Sequence, residues 1–194
     1  MAVMNWIIFC LAVLSAAFIL ASRDWRWNLV FLAVQYACVF WFVQVSWGPS
    51  LAIVKLVAGW MICAILGLAH LNQPPLAAVE PSWPQGRLFR LMVIVMILAV
   101  TFLGAQGLQG WLGLVFPAAW GGVFLLGMGL MVAGITDHPF RVILGLLTFL
   151  MGFEVLYAAL ETSSLVTGLL VSVNLGLALA GAYFLSNEPG GDKS

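Results

Sequence analysis

Glu154 and Lys55 are ionisable residues set inside long apolar stretches, and the chemistry open to such groups is proton or ion handling. Glu154 lies in Phe140–Leu160, a span otherwise apolar apart from Arg141 at its start, Thr148 and Tyr157. A carboxylate near the middle of a bilayer helix costs roughly 2.5–3.5 kcal/mol on insertion scales. A chain that keeps one gains a partner, a proton path or a bound ion. Desolvation favours the neutral acid, whereas a neighbouring ammonium favours the carboxylate. A carboxyl balanced between the two can take up and release a proton.

Lys55 is a candidate for that ammonium. It lies five residues past Ser50, roughly 8 Å into its span at 1.5 Å per residue. Glu154 lies 13 residues past Arg141, roughly 20 Å along a span that runs the opposite way. The two are thus expected at similar depth, where pairing would hold both in the membrane. The alternative is that Lys55 snorkels to the nearer surface and never meets Glu154. Ser172 and Asn174 lie roughly 14–17 Å into the last span, with Thr167 and Ser164 above them. These form a candidate polar track beside Glu154, and interhelical hydrogen bonding is the plainer reading of the hydroxyl groups.

No nucleophile elbow, glycine-rich phosphate loop or Cys/His cluster is present, so no bond-making active site, metal or cofactor is expected. Cys10, Cys38 and Cys63 all fall in apolar spans and read as small buried hydrophobes. His70 and His138 are expected at the membrane interface. His138 precedes Pro139, which suits the first turn of a helix.

The elements that must position these residues follow from composition. The chain has 194 residues, of which 64% are hydrophobic and 7% charged; soluble domains carry about 25% charged residues. The apolar runs are too long and continuous for strands of a membrane barrel, which alternate over about 10 residues. The expected class is all-α, a polytopic membrane protein of about seven transmembrane helices. The spans are Val3–Ala21, Trp27–Ser46, Ser50–Leu71, Leu88–Gly107, Gly110–Ile135, Phe140–Leu160 and Ser163–Ser186. The first span lacks a basic leader and is long for a signal peptide, so it is expected to be retained. Pro117 would begin the fifth helix or kink it.

Residues 72–87 form a linker with Pro74, Pro75, Pro81 and Pro84. It separates a three-helix region (1–71) from a four-helix region (88–186), which ends in a polar tail (187–194). With seven spans, Arg23, Arg26, Arg87, Arg90, Arg141 and Lys193 all fall on one side. The positive-inside rule makes that side cytoplasmic, with the N-terminus outside, the C-terminus inside, and the chain in the cell inner membrane. Trp6, Trp25, Trp27, Trp47, Trp83 and Trp111 read as an aromatic belt at headgroup level. Asp137 and Glu161 fall in solvated connections. Glycines crowd the last three spans without a strict GxxxG, which predicts close packing within the chain or against other subunits. The net charge of +0 gives no reason to expect nucleic acid as a partner.

Three stretches carry a family resemblance: Arg141-Val142-Ile143-Leu144-Gly145-Leu146, then Gly152-Phe153-Glu154-Val155-Leu156, then Asn174-Leu175-Gly176-Leu177-Ala178-Leu179. From about Gly110 to Ser186 the chain resembles the small three-helix K subunit of respiratory complex I. It is similar also to that subunit's relatives, the C subunit of Mrp-type sodium/proton antiporters and component E of hydrogenase-4-type complexes. The resemblance implies that Glu154 takes the position of the family's proton-handling glutamate. It puts Ser172 where the family has a second glutamate, and a serine holds no titrating charge. The first four spans have no counterpart in the short K subunit and are expected to dock a neighbour. The function implied is that of a membrane subunit in a multi-subunit proton- or cation-translocating complex, with larger antiporter-like subunits and the lipid bilayer as partners. The competing expectation is a structural subunit of a respiratory or photosynthetic assembly. An independent small transporter is the third, and the short loops without a visible inverted repeat count against it.

Overall fold

In a computed structural model of the chain, the described residues are 2–22, 24–71, 87–136, 138–160 and 163–186, the side chains of Val45 and Arg87 excepted. They form seven α-helices: α1 (Ala2–Ala21), α2 (Trp25–Trp47), α3 (Pro49–Leu71), α4 (Arg87–Leu112), α5 (Phe116–Gly134), α6 (Pro139–Tyr157) and α7 (Ser164–Ser186). Each is long and apolar enough to cross a membrane. The chain is therefore an all-α, multi-pass membrane protein. Arg23, Trp83, Asp137, Glu161 and Lys193, all but the last residue of the linker, and the whole tail (187–194) lie outside the described residues.

The local sequence explains where the helices start and stop. Proline occupies the first turn of α5 and of α6, where its missing N–H leaves no bond unmade. Gly48 and Gly113 take positive φ (79° and 66°) in the turns that follow α2 and α4. These two features correct the expected boundary between the fourth and fifth spans. Gly110 does not open a helix; α4 continues to Leu112, Gly113 breaks it, and α5 begins one residue before Pro117.

The helices stack as two layers in chain order. One layer is α1, α2 and α3; the other is α4, α5, α6 and α7. Across the gap, α1 lies over α4 and α5, α2 over α6, and α3 over α7. Each helix runs opposite to the one before it. The starts of α2, α4 and α6, with Arg26, Arg90 and Arg141, therefore share one end of the bundle with the close of α3 at His70. At this arginine-bearing end, Arg90 donates to the carbonyl of Ala21 at 2.7 Å and Arg141 donates to that of Ser22. The two guanidinium groups satisfy carbonyls that the end of α1 leaves open.

The tightest contact is between α5 and α6. Gly122 faces Gly152 and Gly129 faces Gly145, a seven-residue spacing on each helix that keeps one face bare. A methyl group on Gly152 would stand 2.5 Å from the carbonyl oxygen of Gly122. One on Gly145 would stand 2.5 Å from the amide nitrogen of Ala133, and one on Gly129 would meet that of Phe149. Backbone thus touches backbone, the use of small residues that apolar surroundings favour. The close packing expected of these glycines is made inside the chain. The outer faces, such as Leu91, Met92 and Val95 of α4, are apolar and exposed, as lipid contact requires.

Candidate functional site

Between the two layers, the polar side chains of four helices converge. Lys55 of α3 and Glu154 of α6 form an ion pair, with side-chain exposures of 3% and 0%. Lys55 faces inward with Ala52, Ala58, Gly59 and Ile62, so it does not snorkel to the surface. The amide of Asn174, from α7, donates to the same Glu154 oxygen, Oε1, at 2.6 Å. Glu154 is therefore held from two helices, α3 across the gap and α7 within the layer. Its second oxygen, Oε2, and the Asn174 carbonyl oxygen are buried without a partner among the described residues.

Gly152 sets this register from two residues away, on the opposite side of α6. Its bare face lets α5 approach, and that contact fixes the rotation of α6 that turns Glu154 toward α3 and α7. The indole of Trp47, 6% exposed, covers Lys55 with the ammonium 5.8 Å from the ring centroid. A cation over an aromatic face in a dry site is stabilised by up to about 2 kcal/mol. Trp47 thus closes the ion pair off toward its own end of the bundle, and does not stand in the interfacial belt expected of it. Trp6, Trp27 and Trp111 are exposed near helix ends, as belt residues would be.

Ser172 does not join the site. It is exposed, and its hydroxyl donates to the carbonyl of Gly168 one turn back at 2.8 Å. Two residues along a helix turn the side chain by about 200°, so Ser172 and Asn174 cannot face the same carboxylate. Thr167 is buried and also bonds back to its own helix, to Ser163. The expected track on α7 is thus reduced to Asn174.

Three α2 residues extend the polar interior, and the sequence reading did not single them out. Tyr36 is buried with its ring against Gly59, one turn along α3 from Lys55. Gln35 is buried beside Thr148 of α6, whose hydroxyl stands 3.2 Å from Gln35 Oε1 and donates to Leu144 at 2.8 Å. Asn28, also buried, lies two helical turns from Gln35 on the same face. Their signal in the sequence was the one that marked Glu154, a polar side chain inside an apolar run.

His70 closes α3 between the rings of Trp25 at 4.7 Å and Phe140 at 5.2 Å. His138 holds the N-cap position of α6 without a side-chain cap bond, and Pro139 opens the first turn as expected. Of the cysteines, Cys38 is buried and Cys63 half-buried, whereas Cys10 is exposed on the outer surface, against the expectation that all three are buried. Among the described residues, no three His, Cys, Asp or Glu side chains gather at one point. No protein-family profile matches the chain, and no curated protein or solved structure is significantly similar to it.

Proposed function

We propose that the chain is a membrane subunit of a multi-subunit proton- or cation-translocating complex and that Glu154 is its proton-handling group. The observation that carries this reading is the state of Glu154 itself. It is fully buried, held through one oxygen by Lys55 and Asn174, and uncommitted at the other. An ionisable residue inside the membrane marks a substrate or ion pathway by default. A proton arriving at Oε2 would neutralise the carboxylate and release Lys55, and its departure would restore the pair. The pair is thus a two-state element within the gap between layers. The resemblance of Arg141–Leu146, Gly152–Leu156 and Asn174–Leu179 to the K subunit of complex I and its antiporter relatives supports the same reading. With that family's orientation, the arginine-bearing end faces the cytoplasm of a cell whose inner membrane holds the complex. The larger subunits would dock on the apolar outer faces.

The ion pair also favours a second reading, a structural subunit in which Lys55 and Glu154 only fix the register of the layers. Glu154→Gln separates the two. The amide keeps the shape and a hydrogen bond to Asn174 but holds no titrating proton. The expected result is an assembled complex whose proton or cation translocation is lost. Normal translocation by the assembled variant would refute the proposal and leave the structural role.

A further inference from the structure

The α2 residues give the gap between layers a second property. From the ion pair toward the arginine-bearing end, buried polar atoms without a partner among the described residues recur at successive depths. Glu154 Oε2, Asn174 Oδ1 and the Tyr36 hydroxyl come first. The amide of Gln35 follows, and then Asn28 Oδ1. At Gln35, Thr148 leaves one end of the amide unserved. The single proton of the Thr148 hydroxyl is given to Leu144, so Thr148 can pair with only one end of the Gln35 amide whichever way that amide is turned. Asn28 and Gln35 share the buried face of α2, roughly 10 Å apart by helix rise. His70, beside Trp25 and Phe140, stands where α2, α3 and α6 reach the end of the bundle. On the opposite side of the ion pair, Trp47 covers Lys55.

Buried polar groups are nearly always hydrogen-bonded, to ordered water where no protein group serves. These groups suit water well, because water donates to carboxylate and amide oxygens and accepts from a phenol. About three molecules in series at hydrogen-bond spacing bridge the roughly 10 Å between Gln35 and Asn28. We infer that the seam between α2, α3 and α6 binds a file of water running from Glu154 past Tyr36, Gln35 and Asn28 to the arginine-bearing end. As a route for protons the file rests on the proposed function; as a water site it does not.

The test is water-edited solid-state NMR on the isotopically labelled full-length protein in lipid bilayers. Side-chain signals of Gln35 and Asn28 are expected to receive polarisation from water faster than the methyls of Leu125, which is buried in the α5–α6 contact away from the seam. Build-up at Gln35 and Asn28 as slow as at Leu125 overturns the inference. A double variant, Asn28→Leu with Gln35→Leu, should lose transfer to Tyr36 and Asn174 while the Lys55–Glu154 contact persists. Undiminished transfer in that variant would mean water enters past Trp47, and would equally overturn it. A wet seam in a protein whose Glu154→Gln complex still translocates would support the water file and refute the translocation reading, so the two fail separately.

Discussion

Lys55 and Glu154 meet across the gap between the two helical layers, and theirs is a contact between ionised groups with almost no exposure. Most of the bundle is held by apolar and backbone contact, which tolerates sliding. A buried ion pair does not, because either charge left behind has no water to receive it. Asn174 adds a second donor to the same oxygen, so the pair joins α3, α6 and α7 at one depth.

Removing one partner should therefore cost far more than removing both. Lys55→Met leaves Glu154 without its counter-charge and should destabilise the fold by about 3–5 kcal/mol. Lys55→Met combined with Glu154→Leu should cost less than Lys55→Met alone, because an apolar pair of similar size needs no solvation. Denaturant titration in mixed micelles reads Lys55→Met, Glu154→Leu and the double variant against the parent. Additive losses would mean that the two side chains act independently.

Asn174 and Ser172 give an internal contrast on one helix. Asn174→Leu deletes a buried donor to a carboxylate and should cost about 1–3 kcal/mol. Ser172→Ala removes an exposed hydroxyl bonded to its own helix and should stay within about 0.5 kcal/mol. The same contrast should appear in translocation by the complex, with Asn174→Leu impaired and Ser172→Ala unchanged. A loss in Ser172→Ala would put the path on the outer face of α7.

Much of this was legible in the sequence because membrane helices obey simple geometry. Apolar runs located the seven helices, and counting residues at a fixed rise brought Lys55 and Glu154 to one depth. Rotation was the missing coordinate. On α7 the lipid-facing and protein-facing residues are both apolar, so nothing in its composition says that Asn174 rather than Ser172 points inward. Trp47 was misread for a related reason, since an indole suits a headgroup belt and a buried cation equally. Gln35, Tyr36 and Asn28 were readable and passed over: as uncharged groups they carry a smaller burial cost than Glu154. The glycine contacts were also readable, because the spacing is seven between Gly122 and Gly129 and again between Gly145 and Gly152. A search for spacings of four does not find them.

That spacing makes Gly122, Gly129, Gly145 and Gly152 unequal to Gly168 and Gly176 of α7. A methyl group at Gly129 meets the backbone of Phe149, which cannot turn aside as a side chain would. Gly129→Ala should lower stability by about 1–3 kcal/mol, the usual cost of overfilling a close-packed contact. Gly168 and Gly176 have open space where a methyl group would go, and alanine there should be neutral or stabilise by up to about 1 kcal/mol. Thermal unfolding in detergent ranks the three variants. Because Gly152 and Glu154 share a turn of α6, Gly152→Ala should also disturb the ion pair, seen as a changed Lys55 Nζ signal by NMR.

Arg90 and Arg141 both serve the fold at one end of the bundle. Each donates to a carbonyl at the end of α1, Ala21 and Ser22 respectively, where the helix has no amide left to supply. A cation there also suits the negative end of the helix dipole. Replacing either arginine by glutamine should cost about 1–2 kcal/mol and speed amide exchange in the last turn of α1, with little change at its start. Lysine should recover part of the loss, through charge without the planar fork of donors. The measurement belongs on purified protein in micelles, because in cells the same substitutions also weaken the signal that orients the helices during insertion. Exchange in α1 that does not respond to either substitution would leave both arginines with the orienting role alone.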